Sequence, residues 1–222
     1  MHDLQLPQPN ADAPDDLTVI LANGTFPTAD YPTAILRHAA HLVCCDGAAV
    51  PCLHAGLTPT VVIGDGDSLP PELRQQLAER FHHVAEQDTN DLNKAFRLCQ
   101  QNHWHNIVIL GATGKREDHT LGNLSLLADF AQLNPAISIV TDDGIFLPLL
   151  HPASIRCRPQ QQVSIFALEP NTPIHSSGLR WPLDGLAPSR WWHATLNEAT
   201  DSTISLRFPD NHPLLVFLAF SH

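Results

Sequence analysis

The stretch Val61-Val-Ile-Gly-Asp-Gly-Asp-Ser68 decides the fold class. A short apolar run breaks into Gly and Asp, and Pro70-Pro71 then opens a segment in which Leu73, Leu77 and Phe81 share a helical face. A buried strand, a tight turn and a helix in that order make one half of an α/β unit. The same grammar recurs outward in both directions. Thr18-Val-Ile-Leu21, His41-Leu-Val-Cys-Cys45, Asn106-Ile-Val-Ile-Leu110 and Ala136-Ile-Ser-Ile-Val140 are further apolar runs, each bounded by polar or Gly-containing turns. Their near-continuous apolar character suits strands of a parallel sheet covered on both faces. Leu92, Ala95, Phe96 and Cys99 repeat with helical spacing after Thr89, a good N-cap. Leu121, Leu124, Leu127, Ala128 and Ala131 do so after Asp118.

Beyond Leu147 the texture changes to Pro-rich turns and short alternating runs, such as Val163-Ser-Ile-Phe-Ala167 and Thr203-Ile-Ser-Leu-Arg-Phe208. Alternation of this kind reads as a small β-sandwich. The expected organisation is a loose tail over 1–16, an α/β domain over 17–146 and a β-rich domain over 147–222.

The totals narrow the function. With 12 Lys and Arg against 23 Asp and Glu, the net charge of -11 argues against a nucleic-acid binder, which needs clustered cations. The opening residues carry no Lys, Arg or apolar run of the signal or transit type, and no stretch approaches the roughly 20 apolar residues of a membrane span. Five Cys, an odd number without zinc or disulfide spacing, read as small core residues of a reducing compartment. The expectation is a cytoplasmic protein.

In open α/β sheets ligands bind beyond the carboxyl ends of the strands. Here those ends carry Asn23-Gly24, Asp46-Gly47, Gly64 to Ser68, and Gly111-Ala-Thr-Gly-Lys-Arg-Glu-Asp-His119. Asp65 and Asp67 lie two residues apart, so on an extended backbone their carboxylates point the same way. Two such charges about 4 Å apart repel by roughly 4 kcal/mol at an effective dielectric of about 20, so the pair calls for a shared proton or a cation. With Asp46 on the neighbouring strand, a hard divalent ion such as Mg²⁺ suits better, completing its shell with water and phosphate oxygens. Asp91, in a first helical turn, reads as a further metal ligand or as the group that receives a substrate hydroxyl, with Lys94 three residues on to offset phosphate charge. Equally, these residues could be turn formers, a helix cap and an exposed ion pair. Gly111 and Gly114 let a phosphate approach the backbone, Asp118 marks a helix start, and Arg116 suits bidentate phosphate binding. A Walker A spacing is absent, as is a Gly-x-Ser-x-Gly elbow.

Taken together, Leu21-Ala-Asn-Gly24, Cys45-Asp-Gly-Ala48, Gly64-Asp-Gly-Asp-Ser68, Thr89-Asn-Asp-Leu-Asn-Lys-Ala95, Gly111 to His119 and Ser177-Gly-Leu-Arg-Trp-Pro-Leu183 resemble the motif succession of the thiamine pyrophosphokinases. The resemblance spans residues 20–200. It implies a Rossmann-like, mostly parallel α/β domain followed by a small β-sandwich, and a homodimer with sites at its interface. The implied reaction is attack of the thiamine hydroxyl on the β-phosphorus of ATP, giving thiamine diphosphate and AMP with Mg²⁺ as cofactor. By the same resemblance, Asp65, Asp67 and Asp91 are the metal and catalytic acids. Asn23, Asp46, Lys94, Gly111, Gly114, Arg116, Asp118 and His119 attend ATP, and Ser177, Trp181 and Asn197 attend thiamine, where an aromatic face suits a flat cation. Three positions depart from the pattern: Asn90 stands where Thr is frequent, Arg180 where Lys is common, and Leu196-Asn197 where Ser-Asn is usual. A diphosphokinase for a pterin alcohol and a non-catalytic thiamine- or nucleotide-binding regulator are the alternatives.

Overall fold

The computed structural model describes residues 2–4 and 16–220. The expected loose tail falls mostly outside that set, although His2–Leu4 forms a first strand, β1. In chain order there follow β2 (Thr18–Leu21), α1 (Asp30–Arg37), β3 (His41–Cys45), α2 (Ala49–His54), β4 (Val61–Gly64), α3 (Pro71–Gln76), β5 (Phe81–His83), α4 (Asp91–Gln101), β6 (Ile107–Leu110) and α5 (Glu117–Leu133). The remainder is β7 (Ser138–Val140), β8 (Gly144–Leu149), β9 (Ala153–Arg156), β10 (Gln162–Ala167), β11 (His175–Ser177), β12 (Asn197–Glu198), β13 (Thr203–Arg207) and β14 (Leu214–Ala219). Contacts divide the described residues into two compact units, one of 16–126 with 139–142, the other of 2–4, 127–138 and 143–220.

In the first unit β6, β2, β3, β4 and β5 lie side by side in that order, every pair parallel. The register sets Leu21 beside both Cys44 and Leu110, and Cys45 beside Ile63. All strand ends that carry Gly and Asp therefore align on one edge. Val19, Ile20, Val43, Val62 and Ile109 are fully buried in this sheet, and each such side chain contributes about 1.5–3 kcal/mol of hydrophobic stabilisation. Helix α4 covers β2, β3 and β4 with Leu92, Ala95, Phe96 and Cys99. The chain advances from β2 to β5 in one direction and then returns to place β6 on the other side of β2. That reversal is a topological switch point, the crevice where open α/β sheets bind ligands.

Two local expectations are corrected. Phe81 was expected on the helix face with Leu73 and Leu77, but the helix stops at Gln76 and Phe81 opens edge strand β5, paired with Val62. The N-cap of α4 is Asn90, whose Oδ1 accepts from the Asn93 amide at 2.9 Å. Thr89 is engaged elsewhere: its hydroxyl donates to Glu86 and accepts from Arg97.

The second unit is β-rich, as the alternating runs imply. One sheet joins β8, β14, β10 and β12 with antiparallel pairing throughout. The other orders β1, β9, β13 and β11, antiparallel except where β1 joins β9. Val163 and Ile165 on β10, and Ile204 and Leu206 on β13, are buried while their sequence neighbours are not, so each sheet has one covered face. No helix among the described residues is long and apolar enough to cross a membrane.

Candidate active site at the carboxyl ends of the parallel strands

The acidic cluster starts at the end of β3. Asp46 opens a single 3₁₀ turn at a φ of 36°, a left-handed conformation rare for a non-glycine residue. Its side chain is buried. Oδ2 accepts from the Ser68 amide at 2.9 Å, whereas Oδ1 is enclosed without a partner. Desolvation raises the carboxyl above its usual acidity range, the Ser68 bonds oppose the rise, and the charges of Asp91 and Asp65 add to it. A buried carboxylate oxygen with no donor, facing further negative charge, is the surrounding a cation relieves.

Asp65 and Asp67 follow β4. The backbone between them is a turn and not the extended run expected: Gly66 has a φ of 81°, and the Asp67 amide donates to Asp65 Oδ1 at 3.0 Å. Asp65 Oδ2 accepts from Gln87 Nε2 at 3.0 Å. The Asp67 amide first, then the Gln87 side chain, hold Asp65 below the usual carboxylate range. It is thus a fixed negative charge at neutral pH. Asp91 opens α4, its Oδ1 3.1 Å from Lys94 Nζ, and the Lys94 side chain is buried. The Cys45 thiol donates to the Asp91 carbonyl at 3.6 Å, tying the end of β3 to the start of α4.

Among the described residues, no group of three or more His, Cys, Asp or Glu is already gathered around one point. A Mg²⁺ site does not require one, because this ion takes one or two protein carboxylates and fills its shell with water and phosphate. The orphaned Asp46 oxygen beside Asp65 and Asp91 fits that demand. A raised carboxyl pKa in the folded state stabilises the fold at low pH and costs stability as pH rises through it. Asp46→Asn is therefore expected to raise the melting temperature of the cation-free protein, with the difference opening as pH climbs above the carboxylate range; parallel melting curves across pH check this. No difference at neutral pH would mean that Asp46 is already compensated within the chain.

The loops after β2 and β6 run side by side. The Gly24 amide donates to the Gly111 carbonyl at 2.6 Å and the Thr25 amide to the Thr113 carbonyl at 2.8 Å. Lys115 Nζ donates to Asn23 Oδ1 at 3.1 Å, so Asn23, Gly111, Gly114 and Lys115 form one surface over the switch point. Arg116 makes a two-pronged, exposed pair with Asp118, at 3.1 and 2.6 Å. Arg116 holds the Asp118 carboxyl down at about 2. The His119 amide also donates to Asp118. Because both partners face solvent, this pair contributes little to stability and a phosphate can replace the carboxylate on Arg116.

Two contributors escaped the sequence reading. Gln87 lies two residues before the Thr89 motif, and its contact with Asp65 needs the fold of the β5 to α4 loop. Arg74 of α3 donates to the Gly66 carbonyl, spreads over the Phe81 ring at 5.9 Å and lines a cavity of about 500 Å³ beside Asp67. Nothing in the local spacing marks it.

The residues expected to attend thiamine belong to the second unit. Ser177 is exposed on β11 and pairs with Ser205. Trp181 is 53% exposed, with the Arg180 guanidinium 5.1 Å from its ring centre. Asn197 is buried, its side-chain amide bonded to the backbone of Trp181 and Glu198.

The family model for the catalytic domain of thiamin pyrophosphokinase matches residues 33–140, and that for its substrate-binding domain matches residues 144–217. Thiamine pyrophosphokinase 1 of Oryza sativa subsp. japonica is 28% identical over 214 residues, covering 82% of this chain and 80% of its own. The thiamine pyrophosphokinase of Bacillus subtilis is 29% identical over 147 residues, covering 63% and 68%. In fold, a thiamin pyrophosphokinase family protein from Enterococcus faecalis superposes with a TM-score of 0.77 at 21% identity, over 93% of this chain and all of that one. Yeast thiamin pyrophosphokinase gives 0.76 at 15% identity, over 99% and 91%. With the catalytic-domain model matched across the acidic edge and the substrate-binding model matched after it, the chain belongs to the thiamin pyrophosphokinase family.

Proposed function

We propose that this chain transfers the pyrophosphoryl group of ATP to the hydroxyl of thiamine, giving thiamine diphosphate and AMP. The observation that carries the proposal is the buried, unpartnered Asp46 oxygen within an acidic cluster at the carboxyl edge of the parallel strands, in a chain that belongs to this family. Such chemistry rests on positioning and charge neutralisation, with little covalent work for the protein.

Asp65, Asp67 and Asp91, with the free oxygen of Asp46, would hold a divalent ion, Mg²⁺ in this reading. When bound, that ion offsets phosphate charge and polarises the phosphorus under attack. The chain's own residues do the rest. Asn23, Gly111 and Gly114 offer a close-fitting backbone surface to the nucleotide. Arg116 exchanges its Asp118 partner for a phosphate, and Lys94 supplies a buried positive charge behind Asp91. The thiamine hydroxyl gives its proton to Asp67 or Asp91. Asp65 is the poorer base, because donors on both of its oxygens stabilise the ionised form. His119 follows Asp118 at the start of α5, and in this reading it borders the nucleotide. Trp181 offers the cationic ring of thiamine an aromatic face, with Ser177 nearby in sequence.

A homodimer with its sites at the subunit interface and a cytoplasmic location belong to the same reading. Its test is chromatographic. Purified protein with ATP, Mg²⁺ and thiamine should form thiamine diphosphate and AMP in equal amounts, and a pterin alcohol in place of thiamine should form neither product. AMP with the pterin alcohol alone would change the substrate. AMP with neither would leave a binding protein.

A further inference from the structure

The segment that carries Trp181 is held by a side chain acting as backbone. Residues 178–181 run antiparallel to 197–200: the Thr200 amide donates to the Gly178 carbonyl at 2.9 Å, Leu179 bridges Ala199, and the Arg180 amide donates to the Glu198 carbonyl at 2.8 Å. The bonded pairs of this ladder are 178 with 200 and 180 with 198, so the next pair, Trp181 with Asn197, is one at which a regular antiparallel ladder makes no main-chain bond. Leu196 adopts a φ of 56° with its amide on the Ser164 hydroxyl, and the main chain of Asn197 pairs with Val163 of β10. The Asn197 side chain reaches the Trp181 backbone instead. Its Nδ2 donates to the Trp181 carbonyl at 2.7 Å and its Oδ1 accepts from the Trp181 amide at 3.2 Å. The same oxygen accepts from the Glu198 amide at 2.8 Å.

A primary amide reproduces the donor and acceptor of a peptide group, so the Asn197 side chain can pair with both the amide and the carbonyl of Trp181. The side chain is buried, and a lost partner there is costly. Three bonds to backbone use one amide proton and both lone pairs of the oxygen, leaving the amide fixed toward Trp181. The next residue adds a second restraint: Glu198 pairs with Arg180 at 3.4 Å, and Arg180 lies over the Trp181 ring. Beyond Trp181, the Leu183 amide donates to the Ser176 hydroxyl at 2.8 Å.

We propose that Asn197 is a positioning residue, which sets the Trp181 indole by pairing its side-chain amide with the Trp181 backbone, and does not itself touch thiamine. The proposal rests on the reading of Trp181 as the thiamine platform. It replaces the sequence-based expectation that Asn197 is a direct contact.

Asn197→Asp keeps the acceptor but sets a carboxylate oxygen against the Trp181 carbonyl, and Asn197→Ala removes both. Each is expected to raise the KM for thiamine about tenfold, a loss of ligand placement, while the KM for ATP stays unchanged. In a Trp181→Ala background, Asn197→Ala should add less than about twofold, because coupled residues are not additive. Additive losses would show that Asn197 touches thiamine itself and would overturn the proposal. A second readout is independent of turnover. With Trp104, Trp191 and Trp192 replaced by Phe, Trp181 is the sole indole; Asn197→Asp should lower its fluorescence anisotropy and shift its emission to the red. Asn197→Ser, too short to reach the Trp181 carbonyl, serves if the Asp variant does not fold. Unchanged anisotropy would overturn the proposal whatever the activity. Absence of thiamine diphosphate from the unaltered protein would overturn the assigned reaction and leave the anisotropy result standing.

Discussion

Asp65→Asn is expected to lower turnover by about two to three orders of magnitude, the loss typical of removing one preorganised electrostatic group from an active site. The substitution isolates charge from shape. Asn retains an oxygen for the Asp67 amide, so the turn through Gly66 persists. The new amide nitrogen would face Gln87 Nε2, donor against donor, and a flip of the Gln87 side chain restores that bond at small cost. The melting temperature should therefore shift by only a few degrees at most, in line with a change of under about 1 kcal/mol at a solvent-facing site. Steady-state kinetics beside a melting curve separate the two effects. If Asp65→Asn keeps more than a tenth of the turnover, the acidic cluster is not where the chemistry happens.

The second large effect is steric. A Cβ placed on Gly24 would stand 2.3 Å from the Gly111 carbonyl oxygen and 2.4 Å from that of Thr113. Both obstacles are backbone, and both loops are already pinned by the bonds from Gly24 and Thr25. Neither side can yield without opening the surface over the switch point. Gly24→Ala should cost roughly 2–4 kcal/mol, as overpacking against fixed atoms does. For a chain of this size that corresponds to about 5 to 15 °C in melting temperature. The KM for ATP should rise in the same variant while the KM for thiamine changes less, because the distortion falls on the loops assigned to the nucleotide. Differential scanning calorimetry and separate substrate titrations check both. An unchanged melting temperature would mean that the two loops are farther apart in solution.

Much of the fold was legible because burial writes itself into apolar runs. Strands β2, β3, β4 and β6 stand where short hydrophobic stretches predict them, and the alternation in β10 and β13 marks sheets with one covered face. The acidic and Gly-rich strand ends were legible for the same reason, since a parallel sheet aligns all its carboxyl ends. What the sequence hid are features decided by hydrogen bonds between distant segments. Thr89 and Asn90 are both good N-caps by type, and only the competing bonds of Thr89 to Glu86 and Arg97 select Asn90. Phe81 keeps helical spacing with Leu77, yet pairing with Val62 draws it into an edge strand. Asp65 and Asp67 share a face only on an extended chain, and the bond across Gly66 removes that condition. Asn197 looks like a polar loop residue beside a motif; its hold on the Trp181 backbone appears only once the two segments are folded side by side. Arg74 reaches back to Gly66 from a helix whose own pattern gives no hint of it.

Pyrophosphoryl transfer has a direct signature in the fate of the β-phosphorus. ATP carrying a radioactive label at that position should be incubated with the protein, thiamine and Mg²⁺, and the products separated. The expected result is label in thiamine diphosphate, unlabelled AMP in equal amount, and loss of both with Asp65→Asn. Label remaining in ADP, with a single phosphoryl group on thiamine or none, would contradict the assigned reaction.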